Sequence, residues 1–335
     1  MADKKPTARA QAWPLFDAVV ANAAASQGNP WEDGVFHPDF STLRTLLAVP
    51  LHLGAETRTG VPALALDVWT AYELRRAGLD ADAVWPRAEP PRAVSKDVLD
   101  FIGSVSPAAL RKQLMAKLLS GSSGVGRASA NILGKNYLKQ VDVIVSGWQT
   151  GPELLISTKR MDSSFGKNAA NRVEESYGDA KNLALRHPLA ALGFLYALRS
   201  TAYEQERRQF EWIVDLLIKL GREDDAYDAC CLVVPEWTGE DSPGDPLQSD
   251  EPAPIEPDDT QAEAVDEEFP VDDVGSALAA LPVVTLRDDL VPHELSPARF
   301  FTVLLNRVLD STPVTLHERA RQLRDGGGIT HSCSG

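Results

Sequence analysis

The chain has 335 residues, 44% of them hydrophobic, and carries 33 Lys and Arg against 48 Asp and Glu, a formal charge of −15. That length and apolar fraction serve either one large core with additions or two domains. Cys230, Cys231 and Cys333 form no CxxC pair and have no ligand spacing, so they support neither a zinc site nor a disulfide framework. With no run of 18 apolar residues and no apolar leader, the expectation is a cytoplasmic protein without a membrane partner.

The negative charge is local. Residues 236–274 contain 15 Asp or Glu and no Lys or Arg, leaving 33 acidic against 33 basic residues elsewhere. Residues 96–222 hold 18 basic and 12 acidic residues, a mild excess that suits a phosphate-binding surface and that ordinary surface scatter explains equally well.

In chain order, AWPLFDAVVANAA predicts a short helix, and Asp39 in HPDFSTLRTLLAV reads as a turn residue or the cap of a second. PALALDVWTAYELRRAG predicts an amphipathic helix ended by Gly78. Its Asp67 and Glu73 are read as solvated charges, with approach to a metal as the alternative. WPRAEPPRAV reads as a proline-stiffened linker, and SKDVLDFIGSV and SPAALRKQLMAKLL as two helices. GSSGVG at 121–126 is similar to a phosphate loop, but Arg127 and Ala128 stand at its lysine and hydroxyl positions, which excludes an NTPase and leaves a flexible loop. VDVIV and ELLIST, joined by the turn-rich 147–152, predict a hairpin.

A helix follows, then PLAALGFLYALRS as a third strand, TAYEQERRQFEWIVDLLIKLG as one helix, and AYDACCLVVPEW as a fourth strand with Cys230 and Cys231 buried. Helix, strand, strand, helix, strand, helix, strand is the order of a mixed sheet flanked by helices. The acidic, proline-rich segment beyond predicts disorder. SPARFFTVLLNRVLD begins with Ser296 as N-cap and Pro297 in the first turn, and TLHERARQL carries a Thr315–Glu318 capping box. These last helices either read DNA, form a dimer contact or pack back on the core. The resulting division is a helical region at 1–92, a catalytic core at 93–237, a disordered acidic linker at 238–275 and a helical region at 276–335.

Chemistry concentrates in residues 141–187. Metal-assisted phosphodiester hydrolysis needs carboxylates to hold Mg²⁺ beside the phosphate and a cation to orient water. Asp142 starts one strand, Lys159 lies near the end of the next, and Ser157 shares the strand face of Lys159. This arrangement resembles the PD-(D/E)xK nuclease superfamily, which includes most Type II restriction endonucleases. In that superfamily an Asp on one strand is followed by Glu or Asp, any residue, and Lys on the next. Here the second carboxylate is replaced by Ser157. Glu153 lies on the same face but six residues away, roughly 20 Å along a strand. A related subgroup of restriction enzymes has Ser-x-Lys on the strand and takes its second carboxylate from a glutamate on the following helix, where this chain has Glu174 and Glu175. With Ala169, Val173, Tyr177, Ala180 and Ala184 as the buried stripe, Glu174 flanks it and Glu175 points nearly opposite, so Glu174 is the expected ligand and Glu175 the second choice.

The resemblance implies a restriction-endonuclease-like α/β fold, a mixed β-sheet core flanked by helices with helical N-terminal and C-terminal additions. It also implies a Mg²⁺-dependent endonuclease acting on double-stranded DNA in restriction or phage defence. Asp142 and Glu174 would hold the metal, Lys159 would position water and steady the pentavalent phosphate, and Ser157 would hydrogen-bond a water of the site. Lys167, Asn171, Arg172 and Lys181 are the expected DNA contacts. His187 reads as a structural helix end before Pro188 rather than a base. A homodimer or higher homo-oligomer and a companion methyltransferase or other defence-system proteins complete the expectation. The alternatives are a catalytically inactive DNA-binding subunit of a defence complex and a structure-selective repair nuclease.

Overall fold

The computed structural model describes residues 7–25, 28–120, 130–163, 165–239 and 273–326, with the side chains of 58 and 166–172 also left out. The glycine loop at 121–126, most of the acidic segment and Cys333 therefore lie outside the described residues. In chain order the elements are α1 (Ala8–Ala24), β1 (Trp31–Glu32), β2 (Val35–Phe36), α2 (Phe40–His52), α3 (Val61–Arg76), β3 (Val84–Trp85), α4 (Lys96–Ser104), α5 (Ala108–Leu119), β4 (Ala130–Leu133), β5 (Leu138–Val141) and β6 (Val143–Gly147). Then follow β7 (Gly151–Met161), α6 (Phe165–Ala184), β8 (Ala191–Leu198), α7 (Thr201–Gln205), α8 (Arg207–Leu220), β9 (Ala229–Val233), β10 (Pro235–Glu236), α9 (Val274–Ala279), β11 (Thr285–Leu286), α10 (Pro297–Ser311) and α11 (Glu318–Arg324).

The apolar runs of β7 and β8 are buried on both faces, as strands inside a covered sheet must be. They lie in a mixed five-stranded sheet of order β3-β6-β7-β8-β9. The β3–β6 and β6–β7 pairs are antiparallel, and β7, β8 and β9 run parallel. Alternation then sorts the side chains. Leu154, Ile156, Leu195 and Ala197 meet the core formed with α1, α2, α3 and α10, while Leu155, Phe194, Tyr196 and Leu198 meet that of α6 and α8. The fold is mixed α/β, as the order of predicted elements implies. The expected hairpin is β6–β7, and Cys230 and Cys231 are buried strand residues whose thiols burial pushes up. Among the described residues no helix is long and apolar enough to cross a membrane.

Three local readings change. Trp85, the first residue of the expected linker at 85–94, joins Val84 in β3 at the sheet edge, and the segment after the glycine loop forms the β4–β5 hairpin. The single helix expected at 201–221 breaks at Glu206, whose φ of −130° and ψ of 50° are not helical, giving α7 and α8. The Thr315–Glu318 capping box does not form, because α11 starts after His317, which adopts a left-handed φ of 56°.

Of the three readings for the C-terminal helices, α10 takes the packed one. Ser296 caps it through the Arg299 amide, and Phe300, Phe301, Leu304 and Leu305 are fully buried against the sheet. Gly193 on β8 makes room: a Cβ there would stand 2.7 Å from Leu304 Cδ1 and 2.9 Å from Phe300 Cζ. Gly193→Ala is expected to cost about 1–3 kcal/mol by overpacking this seam, read as a lower urea midpoint at unchanged m-value.

The left-handed turn at His317 sets its Nε2 2.7 Å from Glu153 Oε2, fastening the C-terminal segment to the start of β7. Burial pushes the Glu153 carboxyl up, but hydrogen bonds from His317 and Thr150 outweigh it and hold the group below its ordinary 4.5. A depressed folded value stabilises above the unfolded one and loses that contribution as pH falls through the folded value. Acid unfolding of the wild type is therefore expected to include release of this contact below pH 4.5. His317→Ala should move the acid midpoint upward and cost about 2 kcal/mol near neutrality, measured by urea unfolding across pH.

Candidate active site

Register places the first acid. Val143 pairs with Ile156, so β7 outruns β6 from Ser157 onward, and Asp142 sits at the bend between β5 and β6. The Thr158 amide, left without a β6 partner, donates to Asp142 Oδ2 at 2.8 Å. Thr158 also presents its hydroxyl to the α3 side of the sheet, where it donates to Asp67 Oδ1. One residue thus bridges two carboxylates that are 75 positions apart in the chain. Asp67 reaches this spot because α3 packs across the sheet: Leu64, Ala65, Leu66, Val68, Trp69 and Ala71 around it are all buried.

The end of β7 is held to the start of α3 by Arg160. Its Nη1 donates to the Pro62 carbonyl at 3.2 Å and its Nε to Asp162 Oδ1 at 2.9 Å. The guanidinium lies 5.3 Å from the centre of the Trp237 ring, over which Arg199 also stacks at 4.2 Å.

Asp67 and Asp142 open on a cleft of about 160 Å³ lined also by Arg9, Gln140, Trp85 and Arg92. Burial, and then the charge of Asp142, push the Asp67 carboxyl well above the usual range, against the Thr158 hydrogen bond and the charges of Arg9 and Lys159. Burial likewise raises Asp142, against the Thr158 amide and the charges of Lys159, Lys139 and Arg9. The two carboxylates titrate as a coupled pair that is reluctant to carry two negative charges unaided. Two hard oxygen donors in one cleft fit a Mg²⁺ ion that keeps most of its waters. Among the described residues no group of three or more His, Cys, Asp or Glu side chains could hold a metal.

The structure distributes the residues singled out in the sequence unevenly. Asp142 and Lys159 come together, with the Lys159 charge acting on both carboxylates. Ser157, on the face of β7 that Lys159 shares and Thr158 does not, is buried and hydrogen-bonds Tyr227, so it is not placed to hold a water of the site. Glu174 and Glu175 are both exposed on α6, and the carboxylate set against Asp142 is Asp67 instead. The expected stripe on α6 holds at Val173 and Ala180, but Tyr177 is exposed and Ser176, Asp179 and Leu183 are buried, so the helix is rotated from the predicted orientation. Lys181 is ion-paired with Asp225 at 2.6 Å. The side chains of Lys167, Asn171 and Arg172 lie outside those described. Glu153 belongs to the His317 contact, and His187 Nε2 meets the Leu133 carbonyl at 3.0 Å in a structural role.

Asp39 caps α2, accepting from the Ser41 and Thr42 amides at 3.0 and 3.1 Å. Asp67 and Glu73 are not solvated: Glu73 is fully buried, bound to Arg76 and the Asp39 amide. Burial pushes the Glu73 carboxyl up to about 8. The signal for both lay in α3 itself, whose apolar residues cover more than one face, so that charges on it face protein rather than water. Thr158 and Arg9 carried no signal, since neither belongs to a motif. No family model matches the chain, and no curated protein or solved structure matches it.

Proposed function

We propose that the chain is a Mg²⁺-dependent endonuclease of double-stranded DNA with a restriction-endonuclease-like core. The observation that carries this reading is the Thr158 bridge, which holds Asp67 and Asp142 in one cleft beside the Lys159 charge. The superfamily's missing strand carboxylate is then replaced from α3, on the N-terminal side of the motif. Asp67 and Asp142 would hold the metal, which when bound neutralises phosphate charge and lowers the pKa of water. Thr158 fixes the orientation of both carboxylates. Lys159 orients the attacking water and stabilises charge developing on the phosphate, and Arg9 adds positive charge at the same cleft. Restriction or phage defence in the cytoplasm, as a homodimer, follows from the resemblance.

Cleavage of mixed-sequence double-stranded DNA is expected with Mg²⁺ and not with EDTA. Lys159→Ala is expected to lower the rate about 10²–10³-fold without changing the unfolding midpoint. Undiminished cutting by that variant would reject the assignment. Ser157 standing where the superfamily has an acid supports the second reading, an inactive DNA-binding subunit; DNA binding with no Mg²⁺-induced cleavage or stabilisation is its signature.

A further inference from the structure

Away from the carboxylate pair, a cavity of about 750 Å³ lies between α1, α3, the loop after β3 and α11. Its volume falls in the range of small-molecule sites. Val20 and Ala21 of α1, Pro30, Pro90 and Leu323 of α11 form an apolar wall, and none of its lining residues borders the Asp67–Asp142 cleft.

The polar side of the cavity carries more cations than anions, with Arg75, Arg76 and Arg319 against Asp17 and Glu89. Arg87 is paired with Asp82 at 2.6 Å and Arg92 with Asp17 at 2.8 Å. Arg76 is committed to Glu73 at 2.9 Å and stacks on Phe36. Arg75 donates from Nη1 to the Pro86 carbonyl at 2.9 Å, and among the described residues no carboxylate stands within ion-pair distance of it. Burial pushes its guanidinium down to about 10, with the Arg92 and Arg87 charges adding to the effect and those of Asp17 and Asp82 opposing it. Arg319, exposed on α11, adds a second guanidinium at the rim. Of the two carboxylates on the wall, Asp17 is held by Arg92 and Glu89 stands exposed at the mouth.

We propose that this cavity binds a phosphate-bearing small molecule of mononucleotide size, its phosphate on Arg75 and Arg319 and its body against the Val20–Pro90–Leu323 wall. A planar guanidinium presenting several donors matches phosphate oxygens in charge and geometry, and an apolar wall accepts a base.

Calorimetric titration of the full chain in EDTA tests it with three probes: AMP, inorganic phosphate and adenosine. The EDTA keeps metal-dependent phosphate binding at the carboxylate pair out of the signal, so the outcome is separate from that of the cleavage assay. AMP is expected to saturate with Kd below about 1 mM, with inorganic phosphate competing weakly and adenosine binding at least about tenfold less tightly. Arg75→Gln and Arg319→Ala are each expected to weaken AMP about tenfold. Arg319 is exposed, so its variant reports on the site even if Arg75→Gln fails to fold. Absence of saturable AMP binding, adenosine binding as tightly as AMP, or wild-type affinity in Arg319→Ala would overturn the proposal.

Discussion

Asp67→Asn is expected to lower Mg²⁺-dependent cleavage of double-stranded DNA by about 10³-fold or more, whereas Glu174→Gln and Glu175→Gln stay within about twofold of wild type. The amide keeps the size of the side chain and its acceptor for the Thr158 hydroxyl, so loss of charge is the principal change. Stability supplies a second readout of opposite sign. The raised folded value of Asp67 means that its contribution to stability is present below the unfolded value of 3.8 and is lost as pH rises through the folded one. In EDTA near neutral pH the Asn variant should therefore unfold at a higher temperature than the wild type. Adding Mg²⁺ should raise the wild-type midpoint and leave the variant nearly unmoved. Metal affinity in the wild type should climb with pH, because binding expels the proton that the pair retains. Full cleavage by Asp67→Asn together with loss in Glu174→Gln would return the second carboxylate to α6.

Arg160→Met is expected to cost about 3–5 kcal/mol, the largest stability effect in the sheet region, read by urea unfolding. Arg160 and Asp162 are both buried, and removing the cation leaves a carboxylate desolvated and unpaired. The double variant Arg160→Met, Asp162→Leu should recover most of that loss, since an apolar pair of similar volume carries no desolvation penalty. Cleavage should not recover with it. Arg160 also grips the Pro62 carbonyl at the start of α3, the helix that delivers Asp67, so the double variant should still cut at least about tenfold more slowly. Full activity in the double variant would show that Arg160 serves stability alone.

The parts of the fold legible in the sequence were those encoded by neighbours in the chain. The β6–β7 hairpin follows from two β-branched runs around a glycine-rich turn. The buried strands β8 and β9 follow from continuous apolar runs, and the α10 cap from Ser296 and Pro297. The missing capping box at Thr315 shows the limit even of local patterns: the contact between His317 and Glu153, 164 residues apart, overrides it.

For the candidate site, the sequence by itself determined that Asp142 and Lys159 stand at the same end of one hairpin, Asp142 just before β6 and Lys159 on β7, because the turn between the strands brings their far ends together. Only the tertiary structure decided which carboxylate joins them. Glu174 is 15 residues from Lys159 and Asp67 is 92, yet α6 leaves the first in solvent while α3 sets the second against Thr158. The physical reason is that sequence periodicity gives the faces of a helix and not its rotation on the sheet. That rotation is settled by which helix buries more apolar surface, and α3, apolar around most of its circumference, is drawn wholly inside and carries Asp67 with it.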